Sequence, residues 1–298
     1  LQTSCRNGTI EAIRIASALA VIWFHIYSLP FKRISYSGLI VFVILTTYFS
    51  YRTQQATKHP TSGRYRKRIT RLLIPWAAWF SIYFSAKVIT EQDYIASIEH
   101  PINFLLSGPW IALWYLPFAA AASAVTVKLS SIRHITSHLY GFIATTILIL
   151  CLASLLRQID IPSPWSQWIH AAPAVFAGIS LRLAEETPNP RRSVKATGII
   201  LFLASACMLN DLGIAIPYSI AILLTTIAIL FPIKETRFSK ALSPLCFGAY
   251  LTHGAIIALL LHVAFFHHDR YTLFIATAVL SFLLTYLGRF IPWFKLIT

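Results

Sequence analysis

The sequence predicts an all-α, polytopic membrane protein with about ten transmembrane helices, and three observations carry that prediction. The 298 residues are 57% hydrophobic and 12% charged, with a mean hydropathy of +0.67, where soluble domains carry about a quarter charged residues. The apolar residues gather in stretches of roughly 20, the length of a helix that crosses a bilayer. Fifteen prolines and eleven glycines are scattered through those stretches, as suits kinked or broken membrane helices rather than flexible linkers. A single membrane-embedded domain over 1–298 is expected, with no appended extracytoplasmic domain.

The expected spans run in order at 10–29, 34–52, 69–90, 109–128, 138–156, 165–184, 194–210, 212–232, 241–262 and 271–290. The first contains Glu11, Arg14 and His25, whose presence argues that it is retained rather than cleaved as a signal peptide. Hydroxyls at Thr46 and Thr47 mark the second, and a basic run leads into the third. Trp114-Tyr115 lies in the fourth, while the fifth and sixth are read from apolar length alone. Asn210-Asp211 divides the seventh from the eighth, His253 interrupts the ninth, and the tenth is uninterrupted.

Alternating the loops between two sides places 19 of the 25 lysines and arginines at one set of ends and five, Lys32, Arg33, Lys87, Arg157 and Arg270, at the other, with Arg14 inside the first span. That bias predicts a topology with both termini cytoplasmic. The formal charge of +15 therefore belongs to topology and to the anionic inner leaflet, not to nucleic acid. Cys5, Cys151, Cys207 and Cys246 stand singly, without metal-binding or disulfide spacing, and are expected to pack as small hydrophobes. No His-x3-His or carboxylate cluster suggests a metal site.

Three places carry chemistry. Arg14 and His25 are eleven residues apart, about three helical turns, so both leave one face of the first helix with a rise of about 16 Å between them. Charged groups at membrane depth are costly, which points that face at a protein interior or an aqueous cavity. Glu11 either pairs with Arg14 and fixes its fork or, as a first-turn acid, favours the helix dipole. Before the third span, Arg66, Arg68 and Arg71 belong to a basic run in which Arg68 and Arg71 share a helix face. They can grip one phosphate together, or only touch lipid headgroups. His253 is either a polar group of a cavity or a structural histidine bonded to a neighbouring helix. Trp114 and Tyr115 either line a ligand path or serve as packing and interfacial anchors. His170, His262, His267 and His268 fall near outer span ends and are expected to be wet.

Arg14 and His25 with ten residues between them, followed by Arg68-Ile-Thr-Arg71 leading into Pro75-Trp76, resemble the acyltransferase family 3 membrane O-acyltransferases. Glu11, Leu113-Trp114-Tyr115-Leu116-Pro117 and Ala249-Tyr250-Leu251-Thr252-His253 agree with that pattern in position. In the second span the family's Phe-Phe-x-x-Ser-Gly-like segment is replaced by Phe42 to Phe49 with Thr46 and Thr47, which lacks the glycine.

The resemblance implies a bacterial inner-membrane enzyme with cytoplasmic acyl-CoA, most simply acetyl-CoA, as co-substrate. It implies a saccharide or glycolipid acceptor, as in lipopolysaccharide or exopolysaccharide O-acetylation. On that reading Arg66, Arg68, Arg71 and Arg14 hold the donor, and His25 acts with Arg14 and Glu11 in catalysis. Trp114, Tyr115, Tyr250 and His253 line the acceptor or donor-arm path. Histidine suits the base because its ordinary pKa is near 6.5, and no Gly-x-Ser-x-Gly elbow supports a serine nucleophile. A non-enzymatic saccharide or lipid exporter, or a catalytically silent scaffold of a glycan assembly complex, remains the alternative.

Overall fold

The structure, a computed structural model, describes residues 7–55, 62–91, 93–96, 98–130, 138–262, 269–291 and 294, with backbone alone at 52–55 and 62–68. It is helical throughout, and among the described residues the only β-type pairing is one bridge between Asn7 and Lys234. In chain order the helices are α1 Gly8–His25, α2 Lys32–Ser35, α3 Ser37–Gln55, α4 Ser62–Thr90, α5 Pro101–Ser107, α6 Tyr115–Ser130, α7 Leu139–Leu156, α8 Trp165–Glu185, α9 Pro190–Ala206, α10 Leu212–Leu230, α11 Arg237–Leu242, α12 Cys246–Leu261 and α13 Arg270–Gly288. Short 3-10 turns at Ile111–Trp114 and Ser243–Leu245 lead into α6 and α12.

Eight stretches of the described residues are helices long and apolar enough to cross a membrane. The other two expected spans are also helical, as α8 and α9: Arg182 lowers the hydropathy of α8, while α9, at 17 residues, is shorter than the eight. For α8 the reason is its place in the bundle. It packs between α3, α7 and α9 and buries Ala171, Ala174, Ala177, Gly178 and Ala184, so much of its surface faces helices instead of lipid.

Two boundaries differ from expectation. The basic run before the third span is part of α4, which begins at Ser62 and carries Pro75 within it. The ninth span is broken into α11, a 3-10 turn and α12, and that break brings Ser243 against α1.

Close packing of α3 does not require a glycine of its own. A β-carbon on Gly178 of α8 would collide with the Ile44 carbonyl and the Thr47 hydroxyl of α3, so the small residue is supplied from the facing helix. Thr47 Oγ1 meanwhile donates back to the carbonyl of Val43 or Ile44, 3.1 Å from each.

Helix α1 is fixed at both ends. Asn7 caps its start, accepting from the N–H groups of Thr9 and Ile10 at 3.0 and 3.3 Å, and donates to the Ala228 carbonyl at 2.7 Å. At its other end the Lys32 ammonium donates to the carbonyls of Phe24 and Ile26. A cation on terminal carbonyls matches both their lone pairs and the negative end of the helix dipole.

Candidate functional site

Glu11 is buried near the start of α1 at 8% exposure, in a place where an unpaired carboxylate would be costly. Its Oε2 accepts from Arg14 Nη1 at 3.0 Å and from the Ser243 hydroxyl. The expected Glu11–Arg14 pair therefore forms. Ser243 is a partner that sequence spacing does not indicate.

Arg14 lines a cavity of about 300 Å³ together with Arg71, Thr46, Tyr115, Phe247 and Tyr250. Two guanidinium groups, from α1 and α4, thus face one space whose other walls are largely aromatic. Thr46 Oγ1 stands 3.3 Å from the Tyr115 hydroxyl, so the Thr46-Thr47 segment gives this cavity a polar edge. The side chains of Arg66 and Arg68 lie outside the described residues; their backbone belongs to α4.

His25, the last residue of α1, lines a second cavity of about 210 Å³ with Tyr36, Ala112, Trp114, Gln167 and Tyr250. The rings of His25 and His253 are 5.1 Å apart. His253 is 1% exposed. Its Nδ1 donates to the Tyr250 carbonyl, while its Nε2 is buried without a hydrogen-bond partner. Such an orphan is expensive in a packed interior unless a ligand or water meets it.

Tyr250 joins the two spaces, since it contributes to the wall of both. Its ring lies 5.5 Å from Tyr115 and 5.7 Å from His253, and its hydroxyl donates to the Ala112 carbonyl at the turn before α6. Trp114 and Tyr115, adjacent in sequence, face different cavities: Trp114 the one with His25, Tyr115 the one with Arg14. The structure therefore brings Arg14, Arg71, Tyr115 and Tyr250 to one space and His25, Trp114 and Tyr250 to the next, with His253 beside them.

One expectation is overturned. His170 is not a wet residue at a span end but is 7% exposed, packed edge-on against Tyr36 at 4.9 Å and beside Tyr218 at 5.9 Å. His262 is exposed as expected, and His267 and His268 lie outside the described residues. Cys151, Cys207 and Cys246 carry free thiols, and Cys5 lies outside the described residues. Among the described residues no three His, Cys, Asp or Glu side chains gather as a metal site.

A second polar network was not legible beforehand. Arg182 of α8 pairs with Glu185 and, at 2.7 Å, with Glu186, and the Tyr48 hydroxyl reaches Glu185 at 2.5 Å. It joins α3 to the end of α8 and lines neither cavity.

Residues 7–293, nearly the whole chain, match a family model described as an acyltransferase domain. No curated protein and no solved structure matches.

Proposed function

The chain belongs to this acyltransferase family, and we propose that it is a membrane O-acyltransferase that moves an acetyl group from cytoplasmic acetyl-CoA to a hydroxyl of a cell-envelope saccharide or its lipid-linked precursor. The observation that supports this reading is the pair of cavities with Tyr250 in common, one bearing Arg14 and Arg71 and the other His25. Arginine forks suit the phosphates of coenzyme A, and Arg66 and Arg68 precede Arg71 in the same helix. The rise of about 16 Å from Arg14 to His25 is comparable to the reach of a pantetheine arm, which would run past Tyr115 and Tyr250 toward the histidines.

In the transfer step His25 takes the proton of the acceptor hydroxyl as its oxygen attacks the thioester carbonyl. The tetrahedral intermediate collapses by breaking the C–S bond. The departing thiolate recovers the proton from the imidazolium, so the base is regenerated. His253, beside His25, donates from Nδ1 to the Tyr250 carbonyl, which leaves Nε2 as an acceptor suited to hold a hydroxyl of the saccharide. Glu11 holds the Arg14 fork through its hydrogen bond and acts only through it. The charge bias of the loops supports a reading in which the Arg14 cavity faces the cytoplasm of a bacterial inner membrane, with both termini on that side.

The test is purified protein in neutral detergent with radiolabelled acetyl-CoA and candidate glycans. Coenzyme A at a hundredfold excess over its Kd is expected to stabilise the fold by about 2.7 kcal/mol, and Arg71→Ala to weaken that stabilisation most at low salt. A melting curve unmoved by coenzyme A together with no label transfer would overturn the reading.

A further inference from the structure

Of the five basic residues that the charge pattern assigns to the outer ends, three converge on one space. Lys32 and Arg33 of α2 and Arg157, the residue after α7, line a cavity of about 310 Å³ closed by Gln167 and His170 of α8 and Gly213 of α10. These side chains come from four helices, so sequence proximity does not explain their meeting.

The charge of this cavity is incompletely matched. Among the described residues the ion pairs of its three cations reduce to one, Arg157 Nη1 to Asp211 Oδ1 at 3.4 Å. Asp211 also caps α10, accepting from the Gly213 N–H at 3.0 Å. Two positive charges remain over. The positive end of the α10 dipole adds to them, and the Arg157 guanidinium lies over that helix start so closely that a β-carbon on Gly213 would collide with it.

A second, independent observation points to a ligand. His170 lines the same cavity and is 7% exposed, yet its Nε2 has no hydrogen-bond partner. A neutral imidazole with its proton on that nitrogen offers a buried donor beside two arginine forks, while the Lys32 ammonium, whose protons go to the carbonyls that end α1, adds charge rather than a donor. That donor set suits a tetrahedral oxyanion, and the surplus of two charges suits a dianion.

This cavity shares Phe24, Tyr36 and Gln167 with the one that His25 lines. We propose that it is a separate anion site, which holds the phosphate of a phosphorylated saccharide acceptor while a hydroxyl of the same sugar enters the His25 cavity. The assignment of its role rests on the acyltransferase reading, but the binding of phosphate does not. Phosphate can arrive on a water-soluble sugar phosphate or on a lipid-linked one; the recognising chemistry is common to both.

Binding is measured by calorimetry on the full chain in neutral detergent, in an Arg71→Gln background that weakens phosphate binding at the other cavity. Glucose 1-phosphate represents the soluble source, farnesyl phosphate the lipid-borne one, and glucose and glucuronate serve as neutral and carboxylate controls. At least one phosphate ester is expected to bind at least tenfold more tightly than either control, and the tighter ester identifies the source. Arg33→Gln, at an exposed position where folding is not at stake, and Arg157→Gln should each weaken binding about tenfold, with the loss shrinking at high salt. His170→Phe should weaken it too while leaving coenzyme A stabilisation of the otherwise wild-type chain intact. Phosphate binding indifferent to both arginine substitutions, or glucuronate binding as tightly as the esters, would overturn the proposal. Intact phosphate binding with no acetyl transfer to any glycan would leave this site standing and remove the acyltransferase role instead.

Discussion

The two ends of α1 solve the problem of a buried polar group in opposite ways. At its start, Glu11 accepts from both Arg14 and Ser243, and the cation and carboxylate neutralise each other. At its end, no described residue hydrogen-bonds the His25 ring, and the neighbouring His253 keeps a buried, unpartnered Nε2. A satisfied cluster holds geometry, whereas an unsatisfied one costs stability unless something else completes it. The first end therefore has the character of a fixed support and the second that of a site awaiting a ligand.

The sharpest way to break this contrast is to neutralise the second end. His25→Gln keeps a polar side chain of similar reach but no base, and acetyl transfer is expected to fall by about 10²- to 10⁴-fold. Coenzyme A should still raise the melting temperature, because His25 lines a different cavity from Arg14 and Arg71. Transfer above a tenth of wild type in a folded variant would remove His25 from the role of base.

The opposite profile is expected at the first end. Glu11→Ala leaves the Arg14 guanidinium and the Ser243 hydroxyl without their shared acceptor, at a cost of about 1–3 kcal/mol read as a lowered melting temperature. Affinity for coenzyme A should drop as well, because the fork of Arg14 is no longer held. Unchanged melting and unchanged affinity would mean that the pair is not a support at all.

Much of this contrast was legible in the sequence, and the missing parts have a common cause. A helical period tells which residues share a face, so Arg14 with His25, and Glu11 with Arg14, could be placed in advance. It does not tell what that face meets. Ser243 lies 232 residues from Glu11, and only the break between α11 and α12 delivers it.

His170 illustrates the same limit. Near a helix start flanked by Ser166 and Gln167 it has the local signature of an interfacial residue, but Tyr36 and Tyr218 close over it from distant parts of the chain. Hydropathy likewise understates α8, which packs among helices. The expectation for His170 fails because an interior built by neighbouring helices is invisible to a window along a single one.

The smallest expected effect tests the residue between the two ends. Tyr250 borders both cavities and is 6% exposed, so its ring fills space that either ligand would otherwise share. Tyr250→Phe keeps the ring and removes the hydroxyl that donates to the Ala112 carbonyl. The loss is about 1 kcal/mol of stability, the net worth of an ordinary hydrogen bond, and transfer should stay within a few-fold of wild type. A much larger fall in transfer at unchanged stability would show that the hydroxyl itself meets the reacting groups. In that case the two ends of α1 would not be separate support and site, because the chemistry would extend across the wall that divides their cavities.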